Sequence, residues 1–368
     1  MATPADTTII ARDQSHGRNI NEDGTAAITI IMVPYPSQGH LNPLLHLAGL
    51  ISSGYRNIPV HYVTTPAHTR KVKSRVQGWD PDSISNLHFH GLRVSSHEVS
   101  PPLNPTAFFG SFHLRGPVFE LMKQLSSVTR RRLVVIYDVL MAYVVQDLDS
   151  IPNTEAYAFS AFSALFNYSF MWELQGKPEQ FPELQLLQLL PEIKLPPRFS
   201  EFMRLQLGTK VNRSGTLFNS SRAIEGPFLD YVREPINTFG SDRIWAVGPL
   251  NPLHEEKGSK KDKSDPRHYC LDWLDKQAPN SVILVSFGSA TTLSDEEIKV
   301  TAIGLEESQQ RATVLVTKVL KVGMPVLEEL LASDHQAKEI HVTSKDIKNA
   351  VRSLMDSEEG EKIRLRAE

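Results

Sequence analysis

Hydrophobic residues in this chain fall into short unbroken runs, separated by longer stretches with helical spacing. Residues 27–33 read Ala-Ile-Thr-Ile-Ile-Met-Val. A run with almost no polar face predicts a strand buried on both sides in a parallel sheet. After a Pro- and Gly-containing turn, Asn42-Pro43 reads as an N-cap with proline at the first helical position. Leu44, Leu45, Leu47, Ala48, Leu50 and Ile51 make the apolar stripe of a helix, closed by Gly54. Residues 58–63 form a second strand. The βαβ unit so defined winds right-handed into a parallel sheet. The alternation continues with a strand at 87–92, helix over most of 106–132, a strand at 133–137 ended by Asp138, a helix at 141–148 and a strand at 156–160. Residues 215–220 read as the last strand of this half, with a helix from about 223.

Between residues 251 and 267 the text is dense in Lys, Glu, Asp and Ser. Such a stretch cannot bury a core, and it predicts a linker. Strand-turn-helix patterning then restarts. Residues 270–275 form a short helix, 281–287 (Ser-Val-Ile-Leu-Val-Ser-Phe) a strand, and Gly288-Ser289 the turn behind it. Ser294 with Glu297 is a capping box that opens a helix to about residue 308. Beyond it stand one apolar segment (313–322) and one amphipathic helix (344–355). The predicted organisation is a floppy tail at 1–26, a front α/β domain at 27–250, a linker at 251–267 and a short second α/β domain at 268–368.

Composition narrows the function only by exclusion. The chain has 368 residues, 40% hydrophobic and 22% charged, with a formal net charge of -3. That balance points to neither a nucleic-acid partner nor an acidic substrate. A single cysteine, Cys270, leaves no disulfide framework and no cysteine-based zinc site, and a reducing compartment, the cytoplasm, is the expectation. The first residues lack the apolar run of a signal peptide, and no stretch is long and apolar enough to span a membrane. Sequons begin at Asn167, Asn212 and Asn219, and without a secretory signal they read as chance matches.

Ligands of open parallel sheets gather beyond the carboxyl ends of the strands. His40 follows the first strand and Asp138 ends the fourth, so both lie on that edge. A histidine titrates near neutrality and can take a proton from a hydroxyl. A carboxylate behind it would orient the ring and stabilise the imidazolium. The competing reading is that His40 packs in a turn and Asp138 caps the next helix. Gly288-Ser289, between a strand and a capped helix, would present amides and a hydroxyl to phosphate oxygens. His88 and His90 alternate along a strand and share a face, where a half-exposed strand outweighs a metal site. Walker, dinucleotide-binding and G-x-S-x-G patterns are absent.

Taken together, several segments resemble the plant UDP-dependent glycosyltransferases. They are Val33-Pro-Tyr-Pro-Ser-Gln-Gly-His-Leu-Asn-Pro43, Leu217-Phe-Asn-Ser-Ser-Arg-Ala-Ile-Glu-Gly226, Ile244-Trp-Ala-Val-Gly-Pro-Leu250, Cys270-Leu-Asp-Trp-Leu-Asp275 and Ser281-Val-Ile-Leu-Val-Ser-Phe-Gly-Ser289. The details are most similar to the zeatin O-glucosyltransferase group. The resemblance implies an α/β fold of two Rossmann-like domains, the GT-B type, with the second truncated here. It implies inverting transfer of a sugar, glucose by this group, from a UDP-sugar co-substrate to a small hydroxylated acceptor such as a cytokinin. It implies neither metal nor cofactor, with His40 as base and Asp138 as its partner. Ser160, Gly288 and Ser289 are the donor-side residues it implies, and Gly39, Phe108 and Phe162 the acceptor-side ones. Phe108, Phe109, Phe112, Phe162 and Phe166 either line an apolar acceptor pocket or belong to the core.

The departure is large. The family's donor signature, from Trp-Ala-Pro-Gln through His-Cys-Gly-Trp-Asn-Ser to Asp/Glu-Gln, is missing. The single cysteine lies in the Cys-Leu-Asp-Trp-Leu-Asp motif, and no tryptophan follows Trp273. At Gln310-Arg311 the text jumps to Ala312–Gly323, which resembles the sequence just after that signature. The chain also ends before the family's terminal helix would. An internal deletion with a shortened tail implies weak binding of the UDP-sugar and little turnover. The alternative function is a catalytically inactive isoform that binds an acceptor or a partner chain.

Overall fold

The computed structural model describes residues 28–77, 79–93, 107–129, 132–174, 197–233, 243–250, 269–278, 295–308, 343–358 and 360–362. The chain divides into two compact units, one of residues 1–165 and 197–255, the other of 166–196 and 256–368. The second unit thus takes 166–196 from within the stretch that sequence pattern assigns to the front domain.

The first unit is built on seven parallel strands. They are β1 (Ile28–Val33), β2 (Val60–Thr64), β3 (Leu87–Gly91), β4 (Arg132–Asp138), β5 (Thr154–Ser160), β6 (Gly215–Phe218) and β7 (Ile244–Ala246), in the order β3-β2-β1-β4-β5-β6-β7. Residues 215–218 are therefore not the last strand of this half. Ile244–Ala246 pairs beyond them, Leu217 opposite Trp245. Three residues are too short a run to announce a strand by periodicity. Gly215 makes that pairing possible, because a Cβ there would run into the Trp245 ring and lie 2.8 Å from the Arg243 carbonyl.

The helices of this unit are α1 (Gln38–Gly54), α2 (Pro66–Arg75), α3 (Ala107–Gly110), α4 (Arg115–Thr129), α5 (Ala142–Val145), α6 (Ala164–Leu174, which runs on into the second unit), α7 (Pro197–Gly208) and α8 (Arg222–Arg233). The helix expected over 106–132 is broken by a 3₁₀ turn at Ser111–Leu114, and that expected over 141–148 is a 3₁₀ turn followed by the short α5. Ile31 and Val33 of β1 pack with Val135 and Tyr137 of β4 against Val118 and Met122 of α4. Ile30 and Met32 face the other way, onto Leu41, Leu44, Leu45 and Ala48 of α1. That two-sided burial explains the unbroken apolar text of β1.

The start of α1 differs from its sequence signal. Asn42-Pro43 is not the N-cap and first position; the helix begins at Gln38, with Ser37 before it and Pro43 inside. The Ser37 carbonyl accepts from the His40 and Leu41 amides at 3.0 and 2.8 Å, so the first turn closes ahead of the proline. Leu41 is buried, and the Tyr62 hydroxyl donates to the Leu41 carbonyl at 2.6 Å, which ties that turn to β2. The Asn42 side chain accepts from Arg75 instead of capping.

In the second unit the described helices are α9 (Tyr269–Leu274), α10 (Asp295–Ser308) and α11 (Ser344–Asp356), the last opened by a Thr343–Asp346 capping box. Gly304 of α10 lets Ile347 and the Ser344 carbonyl of α11 approach closely. The expected strand at 281–287, the apolar segment at 313–322, the tail and the linker all lie outside the described residues.

Candidate functional site

The sheet order reverses between β1 and β4. The strands run outward through β2 and β3 on one side, and through β5, β6 and β7 on the other. Sequence placed His40 and Asp138 on one edge. The fold makes them neighbours at the point of reversal, where the crevice of such a sheet opens. Val33 and Tyr137 are paired at the ends of the two strands, one residue before Asp138.

His40 Nδ1 lies 2.7 Å from Asp138 Oδ2. The aspartate is fully buried, and the histidine side chain keeps 13% of its surface exposed. The other carboxylate oxygen, Oδ1, accepts from the Leu140 amide at 2.9 Å and caps the 3₁₀ turn that follows β4. The two readings of Asp138 open from sequence are therefore both true of the geometry, one for each oxygen. With Asp138 as acceptor the Nδ1 proton is assigned to the ring, which leaves Nε2 with its lone pair.

Two aromatic rings flank the imidazole in T-shaped contacts. Tyr35 stands 5.3 Å from it at 73° and Phe162 5.2 Å away at 81°. Burial, and then the Asp138 charge, raise the Tyr35 hydroxyl well above its ordinary pKa, so it stays protonated beside the pair. Tyr35 in turn meets Phe202 of α7 at 5.8 Å. Phe202 contacts Phe109 and Phe112, and Phe112 stacks on Tyr143 at 4.2 Å. A continuous aromatic run thus leads away from His40. Tyr35 and Phe202 went unnoticed in the sequence, because single aromatics in a turn and in a helix carry no period that marks them.

The remaining candidates scatter. Gly39 sits in the first turn of α1 with open space where a Cβ would stand. Ser160 is fully buried at the end of β5, and its hydroxyl donates to the Phe162 carbonyl at 3.4 Å. Phe108 belongs to α3, but its side chain lies outside the described residues, as do Gly288 and Ser289. Phe166, in the second unit, stacks on Phe170. His61 of β2 comes between the two strand histidines, 5.0 Å from each ring centroid, and shares a 2.8 Å hydrogen bond with His90. Among the described residues no group of three or more His, Cys, Asp and Glu is arranged to hold a metal ion, and no helix is long and apolar enough to cross a membrane. Of the three sequon asparagines, Asn167 is buried and the Asn219 side chain accepts from the Leu250 amide at 2.8 Å, so these two are taken up by the fold.

The family model for the glycosyltransferase N-terminal domain matches residues 26–252, which hold the whole His40–Asp138 edge of the sheet. The chain belongs to the plant UDP-glycosyltransferase family. Within that family it is similar to the zeatin O-glucosyltransferase of Phaseolus lunatus, 42% identical over 77% of this chain and 61% of that protein. It is similar also to the zeatin O-xylosyltransferase of Phaseolus vulgaris, 41% identical over 77% of this chain and 62% of that protein. The chain thus spans about three fifths of the length of these glycosyltransferase relatives. A solved UDP-glucosyltransferase of Polygonum tinctorium, capable of glucosylating indoxyl, superposes with a TM-score of 0.68 at 16% identity, covering 93% of this chain and 92% of that one. This likeness carries the fold alone, α/β of the GT-B type.

Proposed function

We propose that the first unit is the acceptor-binding half of a UDP-glycosyltransferase for zeatin-type cytokinins, and that His40 is its base. The 2.7 Å contact between His40 Nδ1 and Asp138 at the reversal point of the sheet carries this reading. Nε2 takes the proton of the acceptor hydroxyl as that oxygen attacks the anomeric carbon of the sugar. The bond to UDP breaks, UDP leaves with the electron pair, and the anomeric configuration inverts. Asp138 orients the ring and stabilises the imidazolium that forms. The proton is moved by the imidazole, and this reading asks for no metal. The half-buried rings of Tyr35, Phe109, Phe112 and Phe162 suit a flat, uncharged acceptor. The relatives' names include both a glucosyl- and a xylosyltransferase, so UDP-glucose and UDP-xylose are the donors to compare.

The donor side is where this chain is short of residues. Bidentate and charge-assisted contacts supply much of a nucleotide sugar's affinity. The Trp-Ala-Pro-Gln and His-Cys-Gly-Trp-Asn-Ser text that would supply them is absent from the sequence. We therefore read the chain as an acceptor binder with little turnover of its own. Calorimetric titration of the purified chain with trans-zeatin, and separately with UDP-glucose, tests both parts. Saturable heat with zeatin alone is the expected result. Micromolar binding of UDP-glucose overturns the donor reading, and no heat with zeatin overturns the acceptor reading. Sequencing the transcript across Gln310–Arg311 shows whether the jump there belongs to the expressed message.

A further inference from the structure

Glu225 is a carboxylate buried where no charge is needed for solubility. It is 5% exposed and lies in α8, at a kink two residues before Pro227 where the backbone leaves helical angles (φ -130°, ψ 28°). Its two oxygens accept three hydrogen bonds. Oε2 receives the Ala164 amide at 2.9 Å and the Ser220 hydroxyl at 2.6 Å, and Oε1 receives the Leu165 amide at 2.9 Å. Ala164 and Leu165 are the first two residues of α6. The amides at a helix start have no partner within the helix, and a residue some sixty positions away satisfies them here. A negative charge at that end also suits the helix dipole.

The same carboxylate closes off one side of the turn that reaches His40. Between β5 and α6 there are only three residues, Ala161 to Ser163, with Phe162 in the middle. The β5 end of the turn is fixed by the Asn219 amide, which donates to the Ser160 carbonyl at 3.0 Å. The Ser160 hydroxyl reaches the Phe162 carbonyl across it. The α6 end is fixed by Glu225. Phe162, in a turn fixed at both ends, meets the His40 imidazole in an edge contact 5.2 Å away, while Asp138 bonds Nδ1 of that ring. Asp138 itself is paired across the sheet with Phe159, one residue before Ser160.

We infer that Glu225 is a positioning residue for His40: by gripping the start of α6 it sets the β5–α6 turn, and through Phe162 it sets the orientation of the imidazole. The inference rests on the reading of His40 as the base. It concerns a residue whose three hydrogen bonds go to the start of α6 and to Ser220, not to His40. Its signal in the sequence is faint, since an acidic residue in the first turn of a helix is common for local reasons.

Replacing the carboxylate by an amide removes one accepting oxygen. In Glu225→Gln the oxygen can keep the Leu165 amide and the amide nitrogen can donate to Ser220, but the Ala164 amide loses its partner. Glu225→Ala loses all three bonds. The readout is the reactivity of the His40 ring toward diethyl pyrocarbonate, followed by mass spectrometry of the His40 peptide in folded protein, with thermal melts alongside. Wild type, Glu225→Gln, Glu225→Ala, Phe162→Leu and Asp138→Asn are compared.

The expected result is a His40 labelling rate changed by at least about twofold in Glu225→Gln and in Phe162→Leu, the low end of coupling within one contact network. Glu225→Ala exceeds Glu225→Gln. A Glu225 with a merely structural role lowers the melting temperature and leaves the His40 rate as in wild type, which overturns the inference. If Glu225→Ala does not fold, Glu225→Gln and Phe162→Leu decide alone. Asp138→Asn separates this inference from the reading beneath it. A rate that responds to Asp138→Asn but not to Glu225→Gln leaves the base in place and removes Glu225. A rate that responds to neither removes both.

Discussion

Asp138 faces two ways, with Oδ2 2.7 Å from His40 Nδ1 and Oδ1 2.9 Å from the Leu140 amide. The two duties can be separated by substitution. In Asp138→Asn the side-chain oxygen can still accept from Leu140, which turns the amide nitrogen, a donor, toward His40. The imidazole must then accept at Nδ1 and carry its proton on Nε2. The expected outcome is a swap of tautomer, seen in the ¹⁵N shifts of the His40 ring, with the melting temperature little changed. Whatever transfer the chain supports falls by about 10²–10⁴-fold, the usual worth of a general base. Asp138→Ala loses the cap as well and costs a further ~1 kcal/mol or more of stability.

The Tyr62 hydroxyl is the anchor that holds the first turn of α1, and with it His40, against the sheet. Tyr62 is fully buried, and burial raises its pKa far above the ordinary value, so it remains a donor throughout the working range. Tyr62→Phe leaves the Leu41 carbonyl without this partner. It is expected to cost about 1–3 kcal/mol, read as a lower denaturant midpoint at an unchanged slope.

Gly215 is required by Trp245. A methyl group there meets the indole ring and the Arg243 carbonyl, so Gly215→Ala should destabilise by about 1–3 kcal/mol through overpacking and loosen the β6–β7 edge. Adding Trp245→Ala removes the ring but not the carbonyl. The double variant should therefore lose less than the sum of the two single variants in a thermal-melt cycle.

Acid should weaken the first unit through its histidines. His46, His68 and His90 are all held below the ordinary histidine pKa, in each case chiefly by burial; Arg75, Lys71 and His88 respectively push the same way. Between those lowered values and about 6.5 the unfolded chain binds more protons than the folded one. Stability therefore rises with pH across that window and is lost as the solution is acidified through it. Melting temperatures measured from about pH 7.5 down to about pH 5.5 at fixed salt should fall. His68→Gln should flatten the fall, whereas a variant with an unaltered slope would exonerate that residue.

How far the sequence reached can be judged residue by residue. The apolar text of β1 and β4 announced two buried strands and so put His40 and Asp138 at the same end of a parallel sheet. The pattern of short strands alternating with helices made the fold class legible, because burial on two faces leaves its mark on every residue of a strand. The N-terminus of α1 was misplaced, since an Asn-Pro signal is local, whereas the actual start is held by the Ser37 carbonyl and the Tyr62 hydroxyl. β7 went unseen for a related reason: its three residues acquire strand character only by pairing with β6.

By itself, then, the sequence determined the alternation of elements, the family and the identity of the two residues at the strand ends. Periodicity, motif text and the absence of donor-signature residues are all properties of the linear chain. Only the tertiary structure decided that β1 and β4 are adjacent, that His40 and Asp138 touch, that Tyr35 and Phe162 flank the imidazole, and that the distant Glu225 meets the start of α6. The His40–Asp138 and Ala164–Glu225 contacts join positions 98 and 61 residues apart, and no local pattern of polar and apolar residues encodes which of many candidate partners will meet.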